Sequence, residues 1–84
     1  MRSLTQHSPP HPGEILSELY FAPLKLSHWE AAKKLGISST RLSSILDGRM
    51  AITSVTAAKL ARAFQTTPWF WLNLQINYDL FNVK

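Results

Sequence analysis

The stretch from Ser27 to Leu46 constrains the fold more than any other part of the chain. Ser27 and Glu30 have the S-x-x-E spacing of a capping box, in which each side chain accepts a hydrogen bond from the other residue's backbone N–H. Gly36 marks the end of this first helix, because glycine adopts the left-handed C-terminal conformation without a steric penalty. Ser38 can then act as the N-cap of a second helix. The spacing predicts two short helices joined by a tight turn.

Each of the two predicted helices has an apolar side and a polar side. The apolar side consists of Ala31, Ala32 and Leu35 in the first helix and of Leu42, Ile45 and Leu46 in the second. The outward side of the second helix carries small hydroxyl groups and one guanidinium group, on Ser39, Thr40, Arg41, Ser43 and Ser44. Such groups can hydrogen-bond base edges and phosphates. The pattern predicts a DNA-binding helix-turn-helix. The alternative is an ordinary helical hairpin with a solvated, serine-rich face.

The distribution of charge also favours contact with a phosphate backbone. The chain has a formal net charge of +4 at pH 7. Seven basic and two acidic residues lie between Lys25 and Arg62, whereas residues 1–24 have a net charge of −1 and residues 63–84 are neutral. The positive excess therefore lies on and beside the predicted helix-turn-helix, as expected for a protein that binds nucleic acid.

Composition excludes several other classes of protein. Cysteine is absent, which rules out disulfides, thiolate metal sites and cysteine nucleophiles. No apolar run approaches the ~20 residues of a membrane span, and the N-terminus lacks the apolar core of a signal peptide. We therefore expect a cytoplasmic protein that has no membrane contact.

Catalytic and metal sites are also not expected. The sequence contains no paired acids, no nucleophile–base constellation and no phosphate-binding loop, so we predict no enzymatic activity and no cofactor. His7 and His11 are four residues apart, but prolines lie between them and no acidic or cysteine partner follows, so a metal site is not predicted.

The remaining segments predict an all-α domain of five helices. Residues 1–11 are polar and contain prolines, so they should form a flexible arm, with residues 12–84 as the folded domain. Pro12 can open the first helix and Pro23 should end it. The helices are expected near residues 13–21, 27–35, 38–46, 53–64 and 68–80.

Two of these helices have apolar stripes that should contribute to the core. The stripe of the first consists of Ile15, Leu16, Leu19 and Tyr20. That of the fourth consists of Val55, Ala58, Ala61 and Phe64, widened by Ala57 and Leu60. Lys59 and Arg62 should then lie on the outer side of the fourth helix.

The last helix, over about residues 68–81, is apolar on nearly every side. Thr67 and Pro68 provide its N-cap and first turn. A helix of this kind must be covered on more than one face, which a chain of 84 residues cannot do alone. We predict that it is part core and part dimer interface, the interface residues being Trp69, Phe70, Leu74, Tyr78 and Phe81. The alternative is that the whole helix packs within its own chain.

Three segments together resemble the HigA (VapI-like) antitoxins of the lambda-repressor-like helix-turn-helix class. They are His11-Pro12-Gly13-Glu14-Ile15-Leu16, the helix-turn-helix through Arg49, and Thr67-Pro68-Trp69-Phe70-Trp71-Leu72-Asn73-Leu74-Gln75. The resemblance implies a type II toxin–antitoxin partner. Such proteins neutralise a RelE/HigB-like, ribosome-dependent mRNA interferase and dimerise on operator DNA to repress their own operon.

The resemblance also implies roles for individual residues. Ser39, Thr40 and Arg41 match the base-reading positions and are flanked by Ser43 and Ser44, while Arg49 matches a backbone contact. We expect further phosphate contacts from Lys33, Lys34 and Ser38. Where the family usually has asparagine this chain has Asp47, whose carboxylate repels phosphate and which we expect to cap the turn.

Repression should follow when two recognition helices enter successive major grooves about 34 Å apart on a two-fold symmetric operator. Two alternatives are an antitoxin that binds only its protein partner and a stand-alone XRE-type repressor without a toxin.

Overall fold

The computed structural model describes residues 8–83 of the chain. These residues form five helices and no strand, which confirms the predicted all-α fold. We number the helices α1 to α5. Helix α1 consists of α-helical Pro12–Ile15, π-helical Leu16–Phe21 and α-helical Ala22–Leu24, and it is followed by α2 (His28–Leu35), α3 (Ser39–Leu46), α4 (Ser54–Phe64) and α5 (Pro68–Phe81). None of these helices is long and apolar enough to cross a membrane.

His11 is part of the folded domain, which corrects the prediction of an arm over residues 1–11. Its side chain is only 7% exposed. The imidazole Nδ1 accepts a hydrogen bond from the backbone N–H of Gly13 at 2.9 Å and so caps α1. The ring also packs edge-on against Tyr78 of α5, with 4.9 Å between centroids. Residues 1–7, including His7, lie outside the described residues.

Helix α1 differs from the prediction because its middle is π-helical. The Ala22 N–H donates to the carbonyl of Ser17, five residues earlier, so each turn of this segment contains more residues than an α-turn. This spacing buries Leu16 and Phe21 and leaves Leu19 exposed, although Leu19 was expected in the core.

Pro23 does not end α1, which corrects a second expectation. The helix continues to Leu24 and ends at Lys25, which has the left-handed conformation (φ 56°). Proline disrupts a helix because it lacks an N–H and because its ring clashes with an earlier carbonyl. Here it lies two residues after the end of the π-helical segment, in which the hydrogen bonds have already shifted from the α-helical register.

Gly13 allows α1 to pack directly against α3. A Cβ atom at this position would overlap the carbonyl oxygen of Ile45 and lie 2.9 Å from Cα of Leu46. Only glycine can bring the two backbones this close without a shift. Gly13 therefore fixes the position of the C-terminal half of α3 relative to α1.

Helix α4 buries a different face from the one predicted. Val55 is 64% exposed and Ala58 is also exposed, whereas the buried residues are Thr56, Ala57, Leu60, Ala61 and Phe64. The predicted stripe had a spacing of three residues, and each such step falls about 60° short of a full turn. Val55 and Phe64 are three steps apart and therefore lie on opposite sides of the helix.

Lys59 does not point freely into solvent, which corrects another expectation. It is half-buried, and its Nζ donates a hydrogen bond to the backbone carbonyl of Gly36 at 3.2 Å. The lysine therefore joins α4 to the turn between α2 and α3. Arg62 is exposed, as predicted.

Helix α5 is anchored by two residues that form no part of the predicted interface. Trp71 is fully buried, and its indole N–H donates to the hydroxyl of Thr66 at 2.8 Å. Gln75 is also buried and accepts a hydrogen bond from the backbone N–H of Ile52 at 2.8 Å. These contacts fix one side of α5 against its own chain.

The residues predicted to form a dimer interface do not share one surface. Trp69, Phe70 and Phe81 are exposed. Leu74 instead packs against the core, and Tyr78 is half-buried beside the ring of His11. Leu74 and Tyr78 therefore contact their own chain, because they lie on the same side of the helix as Trp71.

Candidate nucleic-acid interface

The entry into α2 has the geometry predicted from the sequence. The Ser27 hydroxyl accepts a hydrogen bond from the Glu30 backbone N–H at 3.1 Å, and the Glu30 carboxylate accepts one from the Ser27 N–H at 3.1 Å. The second of these bonds lowers the pKa of Glu30 below its ordinary value. Gly36 ends the helix in the left-handed conformation, with φ at 72°. The capping box and the glycine turn are therefore confirmed.

Helix α3 is held rigidly from its inner side. Leu42 and Ile45 are buried, and Leu46 is half-buried against the core. Ser38 caps the helix, because its Oγ accepts a hydrogen bond from the Arg41 N–H at 3.1 Å. This bond uses an acceptor site of the Ser38 hydroxyl, so its O–H can still donate to a phosphate.

The outward residues of α3 lie where the sequence pattern predicted. Ser39, Thr40 and Arg41 are exposed in its first turn, whereas Ser43 and Ser44 are half-buried in the next. Exposed hydroxyl and guanidinium groups on one short, rigid helix can reach base edges in a major groove. The five residues are thus available to a ligand, the first three more than the last two.

Lys33 and Lys34 are both exposed on α2. Nζ of Lys33 lies 5.1 Å from the centroid of the Trp29 ring, a cation–π distance. Trp29 is itself exposed and was not singled out in the sequence. Helical spacing places it one turn from Lys33 and on a different side of α2 from Ala31 and Leu35. A large aromatic side chain therefore adjoins the basic surface.

Asp47 lies at the C-cap of α3, as predicted, but its carboxylate takes no part in the turn. The backbone closes this turn itself, because the Gly48 N–H donates to the Ile45 carbonyl at 3.0 Å. The Asp47 carboxylate instead accepts a hydrogen bond from the Arg49 guanidinium at 3.0 Å. Both side chains are exposed, so the ion pair contributes little to stability and can open at small cost.

Arg49 therefore has a carboxylate partner in the free protein. A phosphate at this place would compete with Asp47 for the guanidinium, and phosphates accept bidentate hydrogen bonds from arginine.

Within residues 8–83, no three His, Asp or Glu side chains lie close enough together to hold a metal ion. What the surface around α2 and α3 offers is hydrogen-bond donors, hydroxyl groups and positive charge.

Comparison with known proteins agrees with this geometry. The helix-turn-helix family pattern matches residues 21–72. Virulence-associated protein I of Dichelobacter nodosus is 44% identical over 70 residues, which cover 83% of this chain and 65% of that protein. This chain thus spans slightly less than two thirds of that relative's length.

Solved structures show the same fold at higher coverage. An addiction module antidote protein of a HigA family from Coxiella burnetii is 49% identical, with a TM-score of 0.83 over 88% of this chain and 80% of that one. Pseudomonas aeruginosa antitoxin HigA, solved with the higBA promoter, is 34% identical, with a TM-score of 0.83 over 87% and 79% of the two chains. This chain therefore belongs to the HigA family of helix-turn-helix proteins, whose members are DNA-binding regulators and antitoxins rather than enzymes.

Proposed function

We propose that this chain is the antitoxin of a type II toxin–antitoxin pair, and that as a dimer it binds operator DNA to repress its own operon. Its toxin would be a RelE/HigB-like mRNA interferase. The proposal that the chain binds DNA rests on the exposed first turn of α3, where Ser39, Thr40 and Arg41 lie beside the basic surface of α2. The HigA of P. aeruginosa solved with its promoter supports the same use of this fold.

The proposed contacts divide into base-reading and phosphate contacts. Arg41 can donate two hydrogen bonds to a guanine edge, and Thr40 can bond a base or contact a thymine methyl. Ser39, Ser43 and Ser44 would complete this face. Lys33, Lys34, Ser38 and Arg49 would bind phosphates, which sets the position of α3 in the groove and makes binding salt-dependent.

A dimer is proposed because α5 leaves one apolar side uncovered. Trp69, Ile76 and Leu80 are 71%, 51% and 67% exposed, and their spacing of seven and four residues places them on one side of the helix. Large exposed apolar patches mark association surfaces. The proposed dimer interface therefore consists of Trp69, Ile76 and Leu80, with Phe70 and Phe81 at its margin. Leu74 and Tyr78, which the sequence predicted, are not part of it.

Titration of the chain with its own promoter DNA, followed by a toxin-neutralisation assay in cells, tests the proposal. Saturable binding to the promoter, with weaker binding to a scrambled duplex, is expected together with rescue of toxin-inhibited growth. No preference for the promoter would contradict the repressor role, and no rescue would contradict the antitoxin role.

An antitoxin that binds only protein is the second candidate, and the Asp47–Arg49 pair favours it. The carboxylate occupies a guanidinium that would otherwise face phosphate. The same promoter titration separates the two, because this candidate predicts promoter binding no tighter than binding to scrambled DNA.

A further inference from the structure

A groove of about 1060 Å³ lies beside α1, on a surface that does not include the base-reading residues of α3. It is bounded by the first half of α1, the turn after α3 and the C-terminal end of α5. We call it the acidic groove and define it by six of its lining residues: Glu14, Ile15, Glu18, Asp47, Tyr78 and Phe81. Its size suffices for several side chains of a partner.

The charge of the groove is opposite to that of the surface around α2 and α3. Three carboxylates line it, whereas none of the lysines and arginines within residues 8–83 does. Glu14 and Glu18 are exposed, and among residues 8–83 the one ion pair involves Asp47 rather than either glutamate. Nucleic acid is therefore repelled from this groove, and a cationic ligand is attracted to it.

The charge of the groove rests mainly on Glu14 and Glu18, because Asp47 is paired with Arg49 at 3.0 Å. His11 also lines the groove, but burial lowers its pKa, so the imidazole is neutral at neutral pH. Asp79, one residue from Tyr78, adds a further negative charge near the imidazole. The imidazole therefore does not offset the negative charge of Glu14 and Glu18.

The groove also offers apolar contact. Ile15 and Tyr78 are half-buried, and the ring of Phe81 is exposed at the end of α5. A ligand that combines cationic groups with apolar ones fits this lining better than a small cation does. Aromatic side chains are enriched at protein–protein interfaces, and the rim of such interfaces is polar.

We infer that the acidic groove binds a cationic segment of the toxin, an inference that rests on the proposed function. An enzyme that cleaves mRNA must bind a polyanionic backbone, so its substrate-binding surface carries exposed lysines and arginines. Those side chains complement Glu14 and Glu18. A toxin segment held there has its cations paired with carboxylates instead of RNA phosphates, which gives neutralisation a physical basis.

The test uses the double variant Glu14→Gln/Glu18→Gln, which removes two negative charges and keeps the side-chain shapes. Its affinity for the toxin of the proposed pair, purified in an inactive form, is measured by calorimetry at two salt concentrations. We expect an affinity loss of at least about tenfold and a weaker salt dependence than in the parent. Binding to the chain's own promoter should not change.

The matched control is Val55→Lys/Ala58→Lys, which raises the net charge by the same two units on the exposed side of α4. It should retain the parent's affinity for the toxin. Thermal unfolding of both double variants verifies that they are folded.

Three other outcomes would contradict the inference, and they can be told apart. If the parent binds the toxin and the glutamine variant binds equally well, the groove is not the docking site, although the proposed function stands. If the parent does not bind the toxin, both the inference and the antitoxin role are wrong. If the glutamine variant changes sedimentation instead of toxin affinity, a second copy of this chain covers the groove.

Discussion

The Oε1 atom of Gln75 accepts a hydrogen bond from the backbone N–H of Ile52 at 2.8 Å, and this contact is buried. The other end of the amide donates from Nε2 to the Asp79 carboxylate at 2.8 Å. One side chain of α5 thus satisfies a backbone group in the loop between α3 and α4. It joins α5 to the segment that follows α3.

Replacing Gln75 by leucine should destabilise the protein by about 1–3 kcal/mol, because it leaves the buried Ile52 N–H without an acceptor. Urea unfolding at neutral pH measures this change. Asn73→Leu, on the exposed side of the same helix, is the matched control and should change stability by less than about 0.5 kcal/mol. Equal small changes in both variants would contradict the role given to Gln75.

Replacing Gly13 by alanine should cost about 1–3 kcal/mol or more, because the added Cβ overlaps the Ile45 carbonyl and forces α1 away from α3. Thermal and urea unfolding measure the loss. Ser17→Ala, at an exposed position of the same helix, should be nearly neutral. A Gly13→Ala variant with the parent's stability would show that the two backbones are not held at this distance.

Stability should fall as the pH drops below about 6.5, owing to His11. Burial lowers the pKa of its imidazole in the folded state, an effect that Asp79, the Met50 backbone and Glu14 partly oppose. Below the unfolded-state value of about 6.5 the unfolded chain binds more protons than the folded one. The stabilisation is therefore complete above that pH and is lost as the pH falls through the folded-state pKa.

The variant His11→Asn isolates this effect. Asparagine keeps an acceptor for the Gly13 N–H but has no titrating group. The difference in unfolding free energy between pH 7.5 and pH 5.5 should be smaller in this variant than in the parent. An unchanged pH dependence in His11→Asn would contradict the assignment.

Local signals in the sequence predicted the helix-turn-helix well. The capping box at Ser27, the glycine stop at Gly36 and the cap at Ser38 depend on hydrogen bonds within a few residues, and all three are confirmed. These interactions do not depend on the rest of the fold. The same applies to the N-cap at Thr67.

Contacts between distant parts of the chain were not predictable in the same way. The Gln75–Ile52 and Lys59–Gly36 hydrogen bonds each join residues 23 positions apart, and no local pattern indicates them. The burial of His11 depends on the packing of α1, α3 and α5 together. The π-helical turn also buried Phe21 in place of Leu19, because the predicted stripe had α-helical periodicity.

Replacing Ile76 and Leu80 by glutamate should convert the proposed dimer to a monomer without unfolding the chain, since both side chains are exposed in the single chain. Analytical ultracentrifugation over a concentration series measures the change. Operator affinity should fall with it, because one recognition helix alone contacts one half-site. Asn77→Glu is the single-charge control on the exposed surface of α5. A parent that sediments as a monomer at all concentrations would contradict this interface.

The central claim is that α3 reads base edges while α2 contributes phosphate contacts. Competitive titration of Arg41→Ala and Lys34→Ala on promoter and scrambled DNA, across a range of salt concentrations, tests it most directly. Arg41→Ala should cost about 1–3 kcal/mol on the promoter and relax its preference over scrambled DNA. Lys34→Ala should weaken binding to both duplexes alike and reduce the salt slope by about one. Equal losses on both duplexes for Arg41→Ala would contradict the claim.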